Sequence, residues 1–130
     1  MIVQHLHGNM LSRWTDFLTT DGEKPGRNRD NEFEEHPAAA GEVLAQWNSG
    51  WDCMMKAIGS LRDSDLDRTV FIRSEPHIVI DAINRQLAHV PYHVGQIVYI
   101  GKMILKDQWQ SLSIPKGGSA AFNKEKNANK

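Results

Sequence analysis

Apolar residues recur at spacings of three and four over most of the chain, which predicts helices and few strands. From Ile2 to about Leu18 the repeating positions are Val3, Leu6, Met10, Trp14, Phe17 and Leu18, with Gly8 the only weak helix former. The periodicity then lapses. TTDGEKPGRNRDNEFEEHP, residues 19–37, is dense in Gly, Pro, Asn, Asp and charge and reads as a loop. A loop that long inside a small domain is often functional, the alternative being a solvated connection. Helical spacing returns from Ala38 to about Leu61, with Val43, Leu44, Trp47, Trp51, Met54, Met55, Ile58 and Leu61 in one stripe. Residues 68–73 read as a short strand or an extended linker. Pro76 stands where a helix could begin, and the last strong segment runs from there to about Leu105. Pro91 lies inside it and should kink it. The expected architecture is an all-α bundle over residues 1–110, followed by an extended or disordered tail over 111–130.

Composition narrows the function. The chain has 130 residues, enough for one modest core. Fifteen Lys and Arg balance 16 Asp and Glu, so no basic footprint points to nucleic acid or an anionic membrane. A single cysteine excludes an internal disulfide framework and a cysteine-based zinc cluster. No apolar run approaches the roughly 20 residues of a membrane span, and no secretory signal opens the sequence. A cytoplasmic domain is expected.

Six histidines are the distinctive chemistry. His89 and His93 are four apart, which on a helix stacks both imidazoles on one face. That face falls within about 60° of Ala82, Ile100 and Ile104, so it points into the bundle. The pair reads either as hydrogen-bonded core histidines or as two ligands of one metal ion. A third ligand is available on the first helix, where His5 and His7 are two apart and only one can face inward. Periodicity prefers His7, which falls within the apolar arc; His5 lies on the polar side with Asn9, Ser12 and Asp16. His36 and His77 have no partner at useful spacing and read as surface residues.

HLHGNMLSRWTDFLTTDGEKP, HVPYHVGQIVYIGKMI and SLSIPKGGSAAFN together resemble the DinB-like superfamily, in particular an uncharacterised bacterial subgroup related to the YfiT-like metalloenzymes. The resemblance covers nearly the whole chain in the same order. It implies an up-and-down four-helix bundle, usually dimeric, with a metal held by one histidine of the second helix and an HxxxH pair on the last. By position the pair is His89 and His93. The pattern H-L-x-G-N places the single ligand at His5, with His7 as the runner-up. Relatives of this type carry a further helix before the segment that starts at Met1. That helix is missing here or supplied by a partner chain, so a homo-oligomer is expected.

Three neutral imidazoles leave a coordination position open, as in catalytic sites, and suit zinc or nickel. Water bound there can ionise near neutral pH, or a thiolate can take the open position. The resemblance therefore implies a metal-dependent hydrolase or a low-molecular-weight thiol transferase acting on a small molecule. The alternative is a non-catalytic helical module that binds a partner or itself. No carboxylate is placed convincingly as a base, although Asp16 is within helical reach. Gln86 and Gln96 are candidates to support the histidines. Trp14, Trp51 and Tyr92 are candidates to line a pocket.

Overall fold

The computed structural model describes residues 1–128 and resolves into two compact units, Met1–Gly95 and Gln96–Lys130. The first holds helix α1 (Ile2–Trp14), helix α2 (Ala40–Gly59), strands β1 (Thr69–Ile72) and β2 (Glu75–Ile78), and most of helix α3 (Val79–Leu105). The second holds the end of α3 and helix α4 (Ser119–Ala128).

The three long helices form where the periodicity predicts them, with ends set by local chemistry. α1 stops at Trp14, short of Leu18, because the chain turns at Asp16, which has a φ of 49°. The carbonyl of Asp16 then accepts the N–H groups of Thr19 and Thr20, both at 3.0 Å. Phe17 stays buried beyond the helix end, its ring 4.6 Å from that of Trp14. At the start of α2, the Glu42 carboxylate accepts the Ala39 N–H at 2.9 Å and so satisfies a backbone donor that the helix leaves free. α3 runs on through Pro91 as one helix, about 40 Å long at 1.5 Å per residue.

The all-α expectation is corrected by a two-stranded antiparallel sheet, in which Thr69 pairs with Ile78 and Ile72 with Glu75. Pro76 is not the first residue of a helix but part of β2, opposite Phe71. A two-stranded sheet has only edge strands, where a proline's missing N–H is tolerated. Val70 and Ile72 alternate into the core, while Phe71 between them is exposed. The hairpin turns through Arg73 and Ser74, with φ of 56° and 62°, left-handed values disfavoured for residues other than glycine. Asp21 of the long loop offsets that cost: its carboxylate accepts the N–H groups of Arg73 at 2.8 Å and Ser74 at 2.6 Å. Burial pushes the Asp21 carboxyl up, but these bonds and the one from the Glu23 N–H outweigh it and hold the group below its ordinary value.

The core of the first unit is built on Leu6, Met10, Trp14, Met54, Val70, Ile72, Val79 and Ala82. α1 and α2 approach closely at Gly50, where a side chain would press on Met10 Sδ at 3.2 Å and on His7 Cα at 3.3 Å. Residues 19–37 are a tethered loop. Ser12 Oγ donates to the Gly22 carbonyl at 3.0 Å and accepts the Lys24 N–H at 2.9 Å, and the Gly22 N–H donates to the Phe71 carbonyl at 2.7 Å.

In the second unit, the segment expected to be an extended or disordered tail contains α4, whose first turn closes on the Phe122 N–H donating to the Gly118 carbonyl at 3.0 Å. Residues 129 and 130 lie outside the described residues. Among the described residues, no helix is long and apolar enough to cross a membrane.

Candidate metal centre

Helices α1 and α3 bring His5, His89 and His93 to one point. His89 Nε2 lies 3.2 Å from His5 Nε2 and 3.1 Å from His93 Nε2, and the ligand atoms of all three lie within 4.8 Å of one another. The rings meet edge-on, with centroids 4.8–5.2 Å apart, so nitrogens and not ring faces converge. His7 is not in the cluster. Its backbone packs against Gly50 of α2, so the apolar face that contains it is the α1–α2 contact. The opposite, polar face of α1 is buried as well. His5, Asn9 and Arg13, one turn apart in succession, are each only 6% exposed.

The nitrogen geometry and the proton count both suit a cation. Two imidazole nitrogens bound tetrahedrally at about 2.0–2.1 Å from one ion sit about 3.3 Å apart. The observed 3.1 and 3.2 Å are close to that value. Without an ion the contacts are poorly satisfied. His5 Nδ1 lies 2.8 Å from Glu32 Oε2, so its N–H donates to the carboxylate and its Nε2 presents a lone pair to His89. His89 Nε2 carries one proton at most and cannot donate to both neighbours, while its Nδ1 is buried without a hydrogen-bond partner. Burial first, then the neighbouring His93 and His5, pull the His89 imidazole down to about 4. Burial also lowers His5, although Glu32 opposes it. Both rings are therefore neutral at physiological pH, the state a metal ligand requires.

Glu32 is the residue that periodicity could not find. It sits in a short 3-10 turn, Asp30–Phe33, inside the loop and is 6% exposed. Arg27 clamps its carboxylate, with Nε 2.7 Å from Oε1 and Nη2 2.8 Å from Oε2. Arg27 also reaches Glu23 Oε2 at 3.1 Å. Burial pushes the Glu32 carboxyl up, but the bonds from Arg27 and His5 outweigh it and keep the group ionised. A carboxylate on the remote nitrogen of a ligating histidine fixes tautomer and ring orientation. Arg27–Glu32–His5 is a chain that would serve His5 in this way if it held a metal.

Gly8 makes room for it. A Cβ at Gly8 would collide with Glu32 Oε1 and approach its Cδ to 2.8 Å. Alanine in a helix interior normally gains about 0.5–1 kcal/mol over glycine. Here Gly8→Ala is expected to displace the Glu32 carboxylate, lower the Tm and weaken metal affinity. Unchanged Tm and affinity would show that the Glu32 position does not matter.

Other candidates fall elsewhere. Asp16 is exposed on the turn after α1, about 16 Å along the helix from His5 at 1.5 Å per residue. The Gln86 amide has no hydrogen-bond partner and lines an apolar cavity with Trp51, Met54 and Val90, so it does not support the histidines. Gln96 belongs to the second unit. Trp14 is core at 2% exposed, and Tyr92 is 65% exposed with its ring 5.1 Å from that of His93. His36 is exposed and bonded to Asn31, whereas His77 is half-buried in β2 with Nε2 unpartnered. The cavity beside the histidines is instead cationic, lined by Asn9 and five arginines.

Neither the curated proteins nor the solved structures contain a match to this sequence. A family model does match, over residues 1–118, and the chain therefore belongs to the family described as "Protein of unknown function (DUF1572)".

Proposed function

We propose that this protein is a three-histidine metalloprotein of the DinB-like type, binding zinc or nickel through His5, His89 and His93. The observation that carries the reading is the convergence of three imidazole nitrogens, one of which cannot satisfy its neighbours by hydrogen bonding alone. The residues suit the ion: all three donors are nitrogen, burial keeps His5 and His89 neutral, and Glu32 orients His5. A zinc or nickel ion held by these three histidines would supply a Lewis acid. That chemistry suits hydrolysis or thiol transfer to a small electrophile. The protein's own share is to exclude water on the core side, fix His5 through Glu32 and Arg27, and receive the substrate from the cavity bordered by His5 and His89.

His5→Ala against His7→Ala tests the ligand set. The reading expects His5→Ala to lose bound metal and any hydrolase or thiol-transferase activity, with His7→Ala retaining both. Metal lost from His7→Ala and kept by His5→Ala would replace the ligand set.

A second reading, self-association, is favoured by a different surface. Met55 and Leu87, 57% and 66% exposed, border the apolar cavity of about 240 Å³ that Trp51, Met54 and Val90 also line. Exposed apolar patches of this kind mark interaction sites. A second copy of the chain covering this face would make a dimer, and Leu87→Glu would then give a monomer by light scattering.

A further inference from the structure

Beside the histidines lies a cavity of about 190 Å³ lined by His5, His89, Asn9 and the five arginines Arg13, Arg27, Arg29, Arg73 and Arg85. The chain as a whole carries a net charge of -1, so this density of positive charge is local. Carboxylates account for only part of it. Arg27 is held by Glu32 and Glu23, and Arg73 reaches Glu23 at 3.4 Å. Among the described residues, Arg13, Arg29 and Arg85 enter no ion pair.

Arg13 is the unusual member. It is 6% exposed, and its Nε is buried without a hydrogen-bond partner. Arginine is almost never buried unless paired, because an uncompensated buried charge is costly. Burial, and then the charges of Arg85 and Arg27, lower its guanidinium to about 10, so it remains a cation at neutral pH. Asn9 Oδ1 beside it is also buried and unpartnered. A planar guanidinium with unused donors is a recognition group for carboxylate or phosphate oxygens. At about 190 Å³ the cavity is smaller than the roughly 300–1,000 Å³ of a typical ligand pocket, which suits one acidic group of a substrate and not the whole of an extended ligand.

We propose that this cavity holds the anionic group, a carboxylate or a phosphate, of a small substrate whose reacting end lies at the three histidines. The assignment of a reacting end rests on the metal-centre reading; the anion site itself rests on the arginines. It makes the substrate an acid and explains why a chain of even charge gathers guanidinium groups here.

The test is calorimetric titration of the metal-loaded protein with inorganic phosphate, with succinate and with neutral succinamide. Metal content is measured on the same samples. At least one anion is expected to bind, with succinamide inert. Arg85→Glu, an exposed substitution at the rim, should weaken anion binding about tenfold or more, as expected for losing a charged hydrogen bond. Arg13→Met should abolish it while metal content stays unchanged. Absence of binding by both anions, equal binding of succinamide, or affinity insensitive to Arg85→Glu would overturn the proposal, the last because an anion held only by the ion does not sense that residue. A wild type without metal that still binds phosphate through Arg85 would sink the metal reading and leave the anion site standing.

Discussion

Replacing Glu32 with alanine is expected to be among the most damaging single changes in the first unit. Two effects add. Arg27, with a side chain 5% exposed, loses the carboxylate that takes two of its N–H groups. Removing one partner of a buried ion pair costs about 3–5 kcal/mol when the remaining charge is left uncompensated, and the loss here is expected toward the lower end because Glu23 still holds Arg27 at 3.1 Å. That is a large share of the 5–15 kcal/mol by which a typical domain is stable. His5 meanwhile loses the acceptor that fixes its tautomer, and loss of such an outer partner weakens metal binding about 10–100-fold. The double variant Arg27→Met with Glu32→Leu separates the two effects. Replacing both charges should recover much of the stability, whereas metal affinity should stay low because His5 is still unsupported. Urea unfolding and a competitive chelator titration read the two quantities. Full metal affinity in the double variant would show that Glu32 acts only as Arg27's counter-ion.

The second large effect is on acid stability. His89 has a folded value of about 4 against an ordinary 6.5, and His5 and His7 are shifted in the same direction. Between those values the unfolded chain binds more protons than the folded one, so stability falls as pH drops through this window and is whole above about 6.5. The Glu32 carboxyl, held low by Arg27 and His5, adds to the same trend at the acid end, where its contribution is lost as pH falls through its folded value. Bound metal steepens the dependence, since protons compete for the same nitrogens. The Tm should therefore decline from pH 7 to pH 4.5, more steeply with zinc present than with EDTA. A Tm flat over that range in both conditions would contradict neutral, buried histidines.

The helices were legible because an apolar stripe shows directly as spacing, although the expectation that the whole stripe of α3 faces the core is corrected: Val79, Ala82 and Val90 are buried, whereas Ile100 and Ile104 are 46% and 72% exposed. The hairpin was less so, since four-residue strands give only two inward positions each, and Pro76 mimics a helix start. At the candidate metal centre, the i, i+4 spacing exposed His89 and His93, but periodicity preferred His7 to His5. It found the apolar face of α1, which packs on α2, and had no means of seeing that the polar face with His5, Asn9 and Arg13 is buried too. The H-L-x-G-N pattern pointed to His5. Its glycine has a physical meaning that spacing alone could not supply, as the site of closest approach of Glu32. Glu32 and Arg27 stayed hidden in a loop of mixed charge, where the pairing of nine acidic and basic residues depends on tertiary geometry. Gly8, the one weak helix former in an otherwise uniform helix, was the available signal.

The central claim is that His5, His89 and His93 hold one metal ion. Elemental analysis of untagged protein, purified without added metal, tests it most directly on wild type and on His89→Ala. The account predicts close to one zinc or nickel ion per chain in the wild type and almost none in the variant, with helical content unchanged. A metal-free wild type with no thermal shift on adding zinc or nickel, or equal metal in both proteins, would contradict it.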